Sequence, residues 1–249
     1  MDELLKKLLV TMNKTPDQPT IVFLHGWGSS VNSWVQQLDY FQKQGFKVLA
    51  MEMPGFDLPE PNPNWGVPEY ADYVIKHLPD RKKRYVFIGH SFGGRVSIFI
   101  ACHDPEIVDR LVLTNSAGLN LKPYPGRSIL ILLSKLAYIA QKHVAGVSFL
   151  RSIIRNVLGS RGFREATPVM REVMKKVVNL DLQDCLPKIK AKTLIIWGDK
   201  DKITPVPMAH ALHKSIQDSS LKFIKGAGHS SHKTHANEWN EIVYEFLDK

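Results

Sequence analysis

Residues 85–102, YVFIGHSFGGRVSIFIAC, contain the segment that decides how the rest of the chain is interpreted. An uncharged apolar run comes first, then the hexapeptide GHSFGG, then a second run that suits a buried helix. A Gly-x-Ser-x-Gly pattern between a strand and a helix is typical of a nucleophile elbow, with Ser91 on a strained turn. Gly89 and Gly93 are then structural, because a Cβ atom at either position would collide with neighbouring backbone. The alternative is a tight turn that carries an ordinary serine.

Short apolar runs alternate with amphipathic stretches on both sides of this segment. Buried parallel strands have such runs, and alternating strands and helices are typical of a doubly wound sheet. The pattern predicts strands at residues 21–24, 47–51, 85–88, 111–114, 193–197 and 221–224, and helices at 29–44, 69–78, 95–102, 207–215 and 236–247. The predicted fold class is therefore α/β, with a doubly wound, mostly parallel sheet.

This alternation stops between residues 119 and 183. Helical patterns at 129–144, 149–158 and 167–178 occupy that interval, with no convincing strand. We predict one α/β core formed by residues 1–118 and 184–249, with residues 119–183 inserted as a helical cap. Residues 2–10 have the pattern of a small helix or an irregular strand, so whether a strand precedes the first parallel one stays open.

A serine hydroxyl needs a base within hydrogen-bond reach, and the base needs a third group that orients it. In open α/β sheets such groups lie on loops at the carboxyl ends of strands. Asp199 and Asp201 follow the strand at 193–197, and His229 follows the last strand in the turn GAGH. The chain order serine, aspartate, histidine is the one expected for an elbow serine.

Two further histidines, His232 and His235, compete with His229 for the role of base. Only His229 adjoins the small residues at 226–228, which let the backbone turn tightly. We expect His232 and His235 to be exposed residues that lead into the last helix.

The motifs HGWG at 25–28, MPGF at 53–56, WGDKD at 197–201 and GH at 228–229, together with the elbow, resemble those of the α/β-hydrolase superfamily. The resemblance covers residues 20–249 and is to its small, cap-bearing, esterase-like serine hydrolases. It implies that Asp201 is the triad acid and that Asp199 shapes the turn by accepting backbone N–H bonds. It also implies an oxyanion hole made by the backbone N–H groups of Trp27 and Phe92. Further residues are structural and near the site by the same resemblance: His25, Gly26 and His90.

We therefore predict a serine hydrolase that cleaves a small-molecule carboxylic ester through an acyl-enzyme, with Ser91, Asp201 and His229 as the triad. The same triad suits amides, thioesters or the C–C bonds of vinylogous diketones. A further alternative is a non-catalytic member that binds small molecules. No cofactor or metal is predicted, because Cys102 and Cys185 are far apart in sequence and no Cys/His ligand spacing occurs.

The formal net charge of +9 is concentrated in one interval. Residues 110–164 hold nine Lys or Arg and no acidic residue, so the remainder is balanced. Three interpretations stay open for a basic cap: a solvated lid, a field that favours anionic or amphiphilic acyl substrates, or contact with an anionic membrane surface.

Other classes of partner and location are disfavoured by the sequence. No nucleic-acid fold signature occurs, and no apolar stretch is long enough for a transmembrane segment. The start of the chain lacks a basic region followed by an apolar one, so we predict a cytoplasmic protein without a signal peptide. The sequence makes no prediction of the oligomeric state.

Overall fold

The computed structural model describes residues 9–10, 19–120 and 166–248. The strands are β1 (Leu9–Val10), β2 (Thr20–Leu24), β3 (Val48–Met51), β4 (Tyr85–His90), β5 (Val108–Thr114), β6 (Lys192–Gly198) and β7 (Ser219–Ile224). The helices are α1 (Val35–Lys43), α2 (Val67–Lys76), α3 (Phe92–His103), α4 (Pro168–Asn179), α5 (Val206–Ser215), α6 (Ser231–Thr234) and α7 (Ala236–Leu247). Short 3₁₀ helices cover Val31–Trp34, Pro105–Ile107 and Gln183–Lys188.

The strands form one sheet in the order β1-β3-β2-β4-β5-β6-β7. All neighbours from β3 to β7 pair in parallel, and only β1 is antiparallel. The predicted doubly wound, mostly parallel sheet is confirmed. The open question at the start of the chain is answered by β1, a two-residue edge strand in which Leu9 pairs with Ala50.

Apolar side chains on the two faces of the sheet form two separate cores. On β2, Val22 and Leu24 point into the core beneath α2, α3, α4 and α5, while Ile21 and Phe23 point into the core beneath α1 and α7. Strands buried on both faces need continuous apolar runs, which is why β2 and β4 stand out in the sequence. The described helices therefore cover both sides of the sheet.

Two element boundaries differ from prediction for local reasons. The helix predicted at 29–44 begins as the 3₁₀ turn Val31–Trp34 before α1, and Gly45 ends it with a φ of 92°. Helix α2 begins at Val67, two residues before the predicted start, because the Glu69 side chain accepts a hydrogen bond from Gly66 N at 2.7 Å. That contact satisfies one of the N–H groups that lack a partner at a helix start.

The interval predicted to form the cap is described only in part. The helix predicted at 167–178 is present as α4, whereas those predicted at 129–144 and 149–158 lie outside the described residues. At the two ends of the interval, Leu182 N donates to Gly118 O at 2.9 Å. Within the described ranges, no helix has the length and apolarity needed to cross a membrane.

Candidate active site

The turn between β4 and α3 holds Ser91 with a φ of +52°, a conformation that non-glycine residues rarely adopt. Glycines make the turn possible. A Cβ atom on Gly93 would overlap the carbonyl group of Leu24, and one on Gly89 would overlap the backbone of Gly93. Helix α3 starts at Phe92, so its first N–H groups have no partner within the helix and face the serine end of the turn. The result is a partly exposed hydroxyl at the positive end of a helix.

The loop that follows β2 passes directly against this turn. A Cβ atom on Gly26 would lie 2.7 Å from Nδ1 of His90 and 3.5 Å from Cβ of Ser91. Beside it, the indole of Trp27 meets the ring of Phe92 edge to face, with 5.4 Å between centroids. The two residues implied as oxyanion donors are therefore neighbours on one side of Ser91.

The buried side chains of His25 and Glu52 hold that loop in place. His25 is fully buried; its Nδ1 donates to Gly26 O at 2.9 Å, and its Nε2 lies 2.9 Å from Oε1 of Glu52. The other oxygen of Glu52 accepts a hydrogen bond from Val31 N at 2.9 Å. Burial acts to raise the pKa of Glu52, but the close contact with His25 and the hydrogen bond from Val31 N outweigh it and leave that pKa lowered. Both ends of the loop are thus fixed by one carboxylate.

The carboxylate of Asp201, in the loop after β6, is fully buried and accepts several hydrogen bonds. Its Oδ1 accepts from the backbone N–H groups of Ile203 (2.8 Å) and Thr204 (3.0 Å). Its Oδ2 accepts from Thr204 Oγ1 (2.6 Å) and Asn115 Nδ2 (2.6 Å), and lies 2.8 Å from His229 Nδ1. Burial acts to raise the pKa of Asp201, but His229 and the other donors lower it to about 2. Asp201 is therefore an ionised acceptor at neutral pH.

His229 lies in the loop after β7, with 16% of its side chain exposed. Because its Nδ1 faces a carboxylate that only accepts, Nδ1 carries the proton and Nε2 keeps a free lone pair. The backbone of His229 is tied to the elbow, since Nε2 of His90 donates to His229 O at 2.9 Å. The rings of His90 and His229 are 4.8 Å apart. An imidazole oriented in this way can accept a proton from a hydroxyl.

Asp199, the other carboxylate of the β6 loop, faces solvent. Its Oδ1 accepts a hydrogen bond from Gly226 N at 2.7 Å, which links the β6 loop to the β7 loop. The structure therefore pairs His229 with Asp201 and uses Asp199 to shape the turn that carries them.

The prediction that His232 is exposed is wrong. His232 is 1% exposed, and its ring lies 4.4 Å from that of Trp34 and 4.5 Å from that of His90. Neither ring nitrogen has a hydrogen-bond partner, and burial holds its pKa well below the usual value. The short helix α6 begins directly after the His229 loop and directs this ring into the core. A helix of four residues is too short to show a hydrophobic periodicity, so the sequence could not predict which side of it is buried. His235 is partly exposed.

Sequence reasoning missed Asn115, which joins the acid loop to the histidine loop. Asn115 follows β5, is fully buried and has a φ of +43°. Its Nδ2 donates to Asp201, and its Oδ1 accepts from Ser231 Oγ at 2.6 Å, two residues after His229. The available signal was an asparagine at the carboxyl end of a buried strand, since asparagine tolerates positive φ better than most residues. Thr204, which bonds the same carboxylate, gave no signal.

Comparison with known proteins adds a family and several relatives. Residues 19–147, just over half of the chain, match the family described as alpha/beta hydrolase fold. The chain is 27% identical over 250 residues to a 2-hydroxy-6-oxononadienedioate/2-hydroxy-6-oxononatrienedioate hydrolase of Escherichia coli O81, covering 92% of this chain and 86% of that protein.

Solved structures share the fold over nearly the whole chain. An alpha/beta hydrolase enzyme from the metagenome of lagoon sediments at Mar Chica, Morocco, superposes with a TM-score of 0.71 at 24% identity, covering 97% of this chain and 94% of that one. A meta-cleavage product hydrolase from Pseudomonas fluorescens IP01 superposes with a TM-score of 0.66 at 23% identity, with the same coverage. At these identities the likeness concerns the fold.

Proposed function

The chain belongs to the α/β-hydrolase family and is a hydrolase, and we propose that it cleaves a carbon–carbon bond beside a ketone in an anionic, enol-bearing substrate. One observation carries this proposal: the likeness to the Escherichia coli hydrolase extends over 92% of the chain. The substrate in that protein's name has a hydroxyl, a ketone and two carboxylates, and neither an ester nor an amide. Its hydrolysis must therefore break a C–C bond.

This proposal replaces the carboxylic ester as the first choice and keeps the ester as the alternative. Both reactions need an attack on a carbonyl carbon, so the sequence motifs do not separate them. They differ in the leaving group: an ester releases an alkoxide, whereas a ketone must release a carbanion. Only a carbanion that is delocalised onto an oxygen can depart at a useful rate, which is what an enol conjugated to the ketone provides.

We assign Ser91 as the nucleophile, His229 as the base and Asp201 as the group that orients and stabilises it. The substrate first ketonises, which moves the enol proton to the carbon next to the reacting ketone. Ser91 Oγ then attacks the ketone carbon while His229 Nε2 takes the hydroxyl proton. The C–C electron pair departs onto the conjugated oxygen, and His229 returns its proton to the leaving dienolate. His229, neutral again, then deprotonates one water that attacks the acyl-enzyme carbonyl, and it passes this proton to Ser91 as the acyl group leaves as a carboxylate.

The oxyanion that forms on the ketone oxygen needs two donors. Support for Phe92 in this role comes from the helix start at that residue, and support for Trp27 from the close approach of the preceding residue, Gly26, to Ser91. Each such donor contributes about 3–4 kcal/mol to transition-state stabilisation in acyl-transfer enzymes. Because both donors are backbone groups, the Trp27 side chain is free to line the substrate pocket.

An anionic substrate is supported by charge. Within the predicted cap, residues 119–164 hold eight Lys or Arg and no acidic residue, and we propose that this excess positive charge favours an anionic substrate. The dicarboxylate named for the relative is a matching ligand. We therefore propose that the predicted cap selects carboxylate-bearing substrates through its positive charge.

A matched substrate series tests the proposal. The purified protein is given a 2-hydroxy-6-oxo-dienedioate, its analogue with a neutral end, and a p-nitrophenyl ester. Loss of dienolate absorbance and release of two carboxylate products are followed at low and high salt. We expect the dienedioate to have the highest kcat/KM, and salt to raise its KM more than that of the neutral analogue.

Variants supply the controls. Ser91→Ala and His229→Ala should abolish product release, whereas His235→Ala, on the same segment outside the bonded network, should keep it. Turnover of the ester with no consumption of either dienoate would reject C–C cleavage and restore the ester as first choice. Equal rates for the dianionic substrate and its analogue with one neutral end, at both salt concentrations, would reject the electrostatic role.

A further inference from the structure

Both cysteines of the chain come together at the far end of α3 from Ser91. Cys102 is in the last turn of α3, and Cys185 is in the 3₁₀ helix Gln183–Lys188, which leads into β6. The two sulfur atoms and one ring nitrogen of His103 all lie within 4.8 Å of one another. Among the described residues this is the one group of three or more His, Cys, Asp or Glu side chains with metal-site spacing. The length of α3 separates it from the candidate active site by about 18 Å.

The ring of His103 is held in place by its own helix. Its Nδ1 lies 3.0 Å from Phe99 O, and its ring stacks on that of Phe99 at a centroid distance of 4.0 Å. A carbonyl only accepts, so Nδ1 carries the proton and Nε2 keeps its lone pair. Histidine ligands in metalloproteins are usually fixed by this kind of second hydrogen bond.

We propose that Cys102, His103 and Cys185 form a binding site for one thiophilic divalent metal ion of the Zn²⁺ type. Two thiolates and an imidazole are soft-to-borderline ligands, which select such ions over Mg²⁺ or Ca²⁺. Tetrahedral coordination with Zn–S bonds of about 2.3 Å puts ligand atoms about 3.7 Å apart, so the three groups need to close by about 1 Å at most. Because His103 is exposed, a water molecule completes the coordination.

Such an ion would act on the fold rather than on the chemistry. It would fasten the 3₁₀ helix Gln183–Lys188, at the carboxyl end of the inserted interval, to the helix that begins at the elbow. On binding, each cysteine thiol loses its proton to the buffer and its sulfur donates an electron pair to the ion. No oxidant is required, which distinguishes this site from a disulfide between the same two sulfur atoms.

Co²⁺ and Zn²⁺ titrations of the full-length, fully reduced protein test the proposal. We expect one ion per chain, a thiolate-to-Co²⁺ charge-transfer band that Zn²⁺ removes, proton release, and a higher melting temperature with Zn²⁺. Cys102→Ser and Cys185→Ser should each abolish the band, and Cys185→Ala repeats the test if serine at this buried position impairs folding. His103→Ala should weaken binding by about tenfold or more.

His77 offers a matched control on α2. Its Nδ1 also bonds the carbonyl four residues earlier, at 2.8 Å from Tyr73 O, and its ring lies 4.1 Å from that of Tyr73. His77→Ala should therefore leave Co²⁺ binding unchanged. The proposal is overturned if the reduced protein shows no thiolate band, if the band survives loss of both cysteines, or if His77→Ala weakens binding as much as His103→Ala. The proposal is also overturned if the reduced protein binds no metal ion and Cys102 and Cys185 instead form a disulfide.

Discussion

Replacing Thr204 by valine removes one hydroxyl from the Asp201 carboxylate and preserves the shape of the side chain. Thr204 is 5% exposed, and its Oγ1 lies 2.6 Å from Asp201 Oδ2, 3.1 Å from Asn115 O and 3.2 Å from His229 Nδ1. One hydroxyl has one hydrogen, so the shortest contact, to the carboxylate, is the bond that valine removes. Asn115 and two backbone N–H groups continue to hold Asp201.

The expected cost follows from the charge on the acceptor. A hydrogen bond to a charged group contributes about 1.5–3 kcal/mol to the free energy of unfolding. Independently, a carboxyl pKa held at about 2 instead of the ordinary 3.8 corresponds to about 2 kcal/mol of stability above pH 4, shared among all the donors. Because the second figure is shared among several donors, we expect the low end of the first range: Thr204→Val should lower the free energy of unfolding at pH 7 by about 1.5 kcal/mol, and kcat/KM by about tenfold.

The sign of the pH dependence provides a second readout. A lowered folded-state pKa gives stability that is present above the unfolded pKa and is lost as the pH falls through the folded value. In the valine variant the Asp201 pKa moves up towards 3.8, so the difference from the unaltered protein is largest near pH 7 and shrinks towards pH 2. Urea unfolding at several pH values measures it.

Thr204→Ser is the matched control, because it keeps the hydroxyl and loses a methyl group. It should lower the free energy of unfolding by about 1 kcal/mol and keep kcat/KM within about twofold. If Thr204→Val has unchanged kcat/KM and the same acid limb as the unaltered protein, Thr204 does not support the carboxylate and the network has been misassigned.

Three further predictions concern the elbow and the buried histidine. Ser91→Ala should lower kcat by about 10⁴-fold or more with a melting temperature within a few degrees of the unaltered protein; a residual rate above that level in turnover assays would argue against a serine nucleophile. Gly93→Ala should lower the free energy of unfolding by more than about 3 kcal/mol or prevent folding, because its Cβ atom would overlap backbone atoms. Gly28→Ala, at a φ of 67° with open space around it, should lower it by only about 1 kcal/mol in urea unfolding, and equal losses would contradict the packing described. His232→Phe should raise the free energy of unfolding, and most at pH 5, because a buried histidine with a lowered pKa loses stability as the pH falls below about 6.5; unfolding curves that diverge at pH 8 rather than at pH 5 would refute this.

The features that the sequence predicted well are those with a strong local signature. The strands β2 and β4 are uncharged runs with a glycine at or just after the carboxyl end. At the elbow, only glycine fits at positions 89 and 93, because other backbone atoms lie where a Cβ atom would be. The chain order of Ser91, Asp201 and His229 reflects how the loops succeed one another along the sheet. The strands and the elbow depend on residues that are adjacent in sequence, and the order of the loops follows from the order of the strands.

The features that were missed depend on packing between distant segments. Asn115 and Ser231 bond one another across 116 residues, and nothing local distinguishes that asparagine from one in a surface turn. His232 was expected to be an exposed residue that leads into the last helix, yet its ring packs against those of Trp34 and His90. Cys102 and Cys185 show the same effect, since a ligand set drawn from two distant helices has no spacing to recognise.

The hydrogen bond between Leu182 N and Gly118 O closes the inserted interval at its base. The entropic cost of closing a loop rises only with the logarithm of its length, by about 0.6 kcal/mol for each doubling. The core therefore tolerates a longer, shorter or foreign stretch in place of residues 121–165 at little cost, provided that α4 keeps its buried side chains, Val173 and Val177 among them, in the core and its contact with Arg95. If the interval selects the substrate as proposed, exchange or grafting of this stretch changes substrate preference while β5 and β6 keep their pairing.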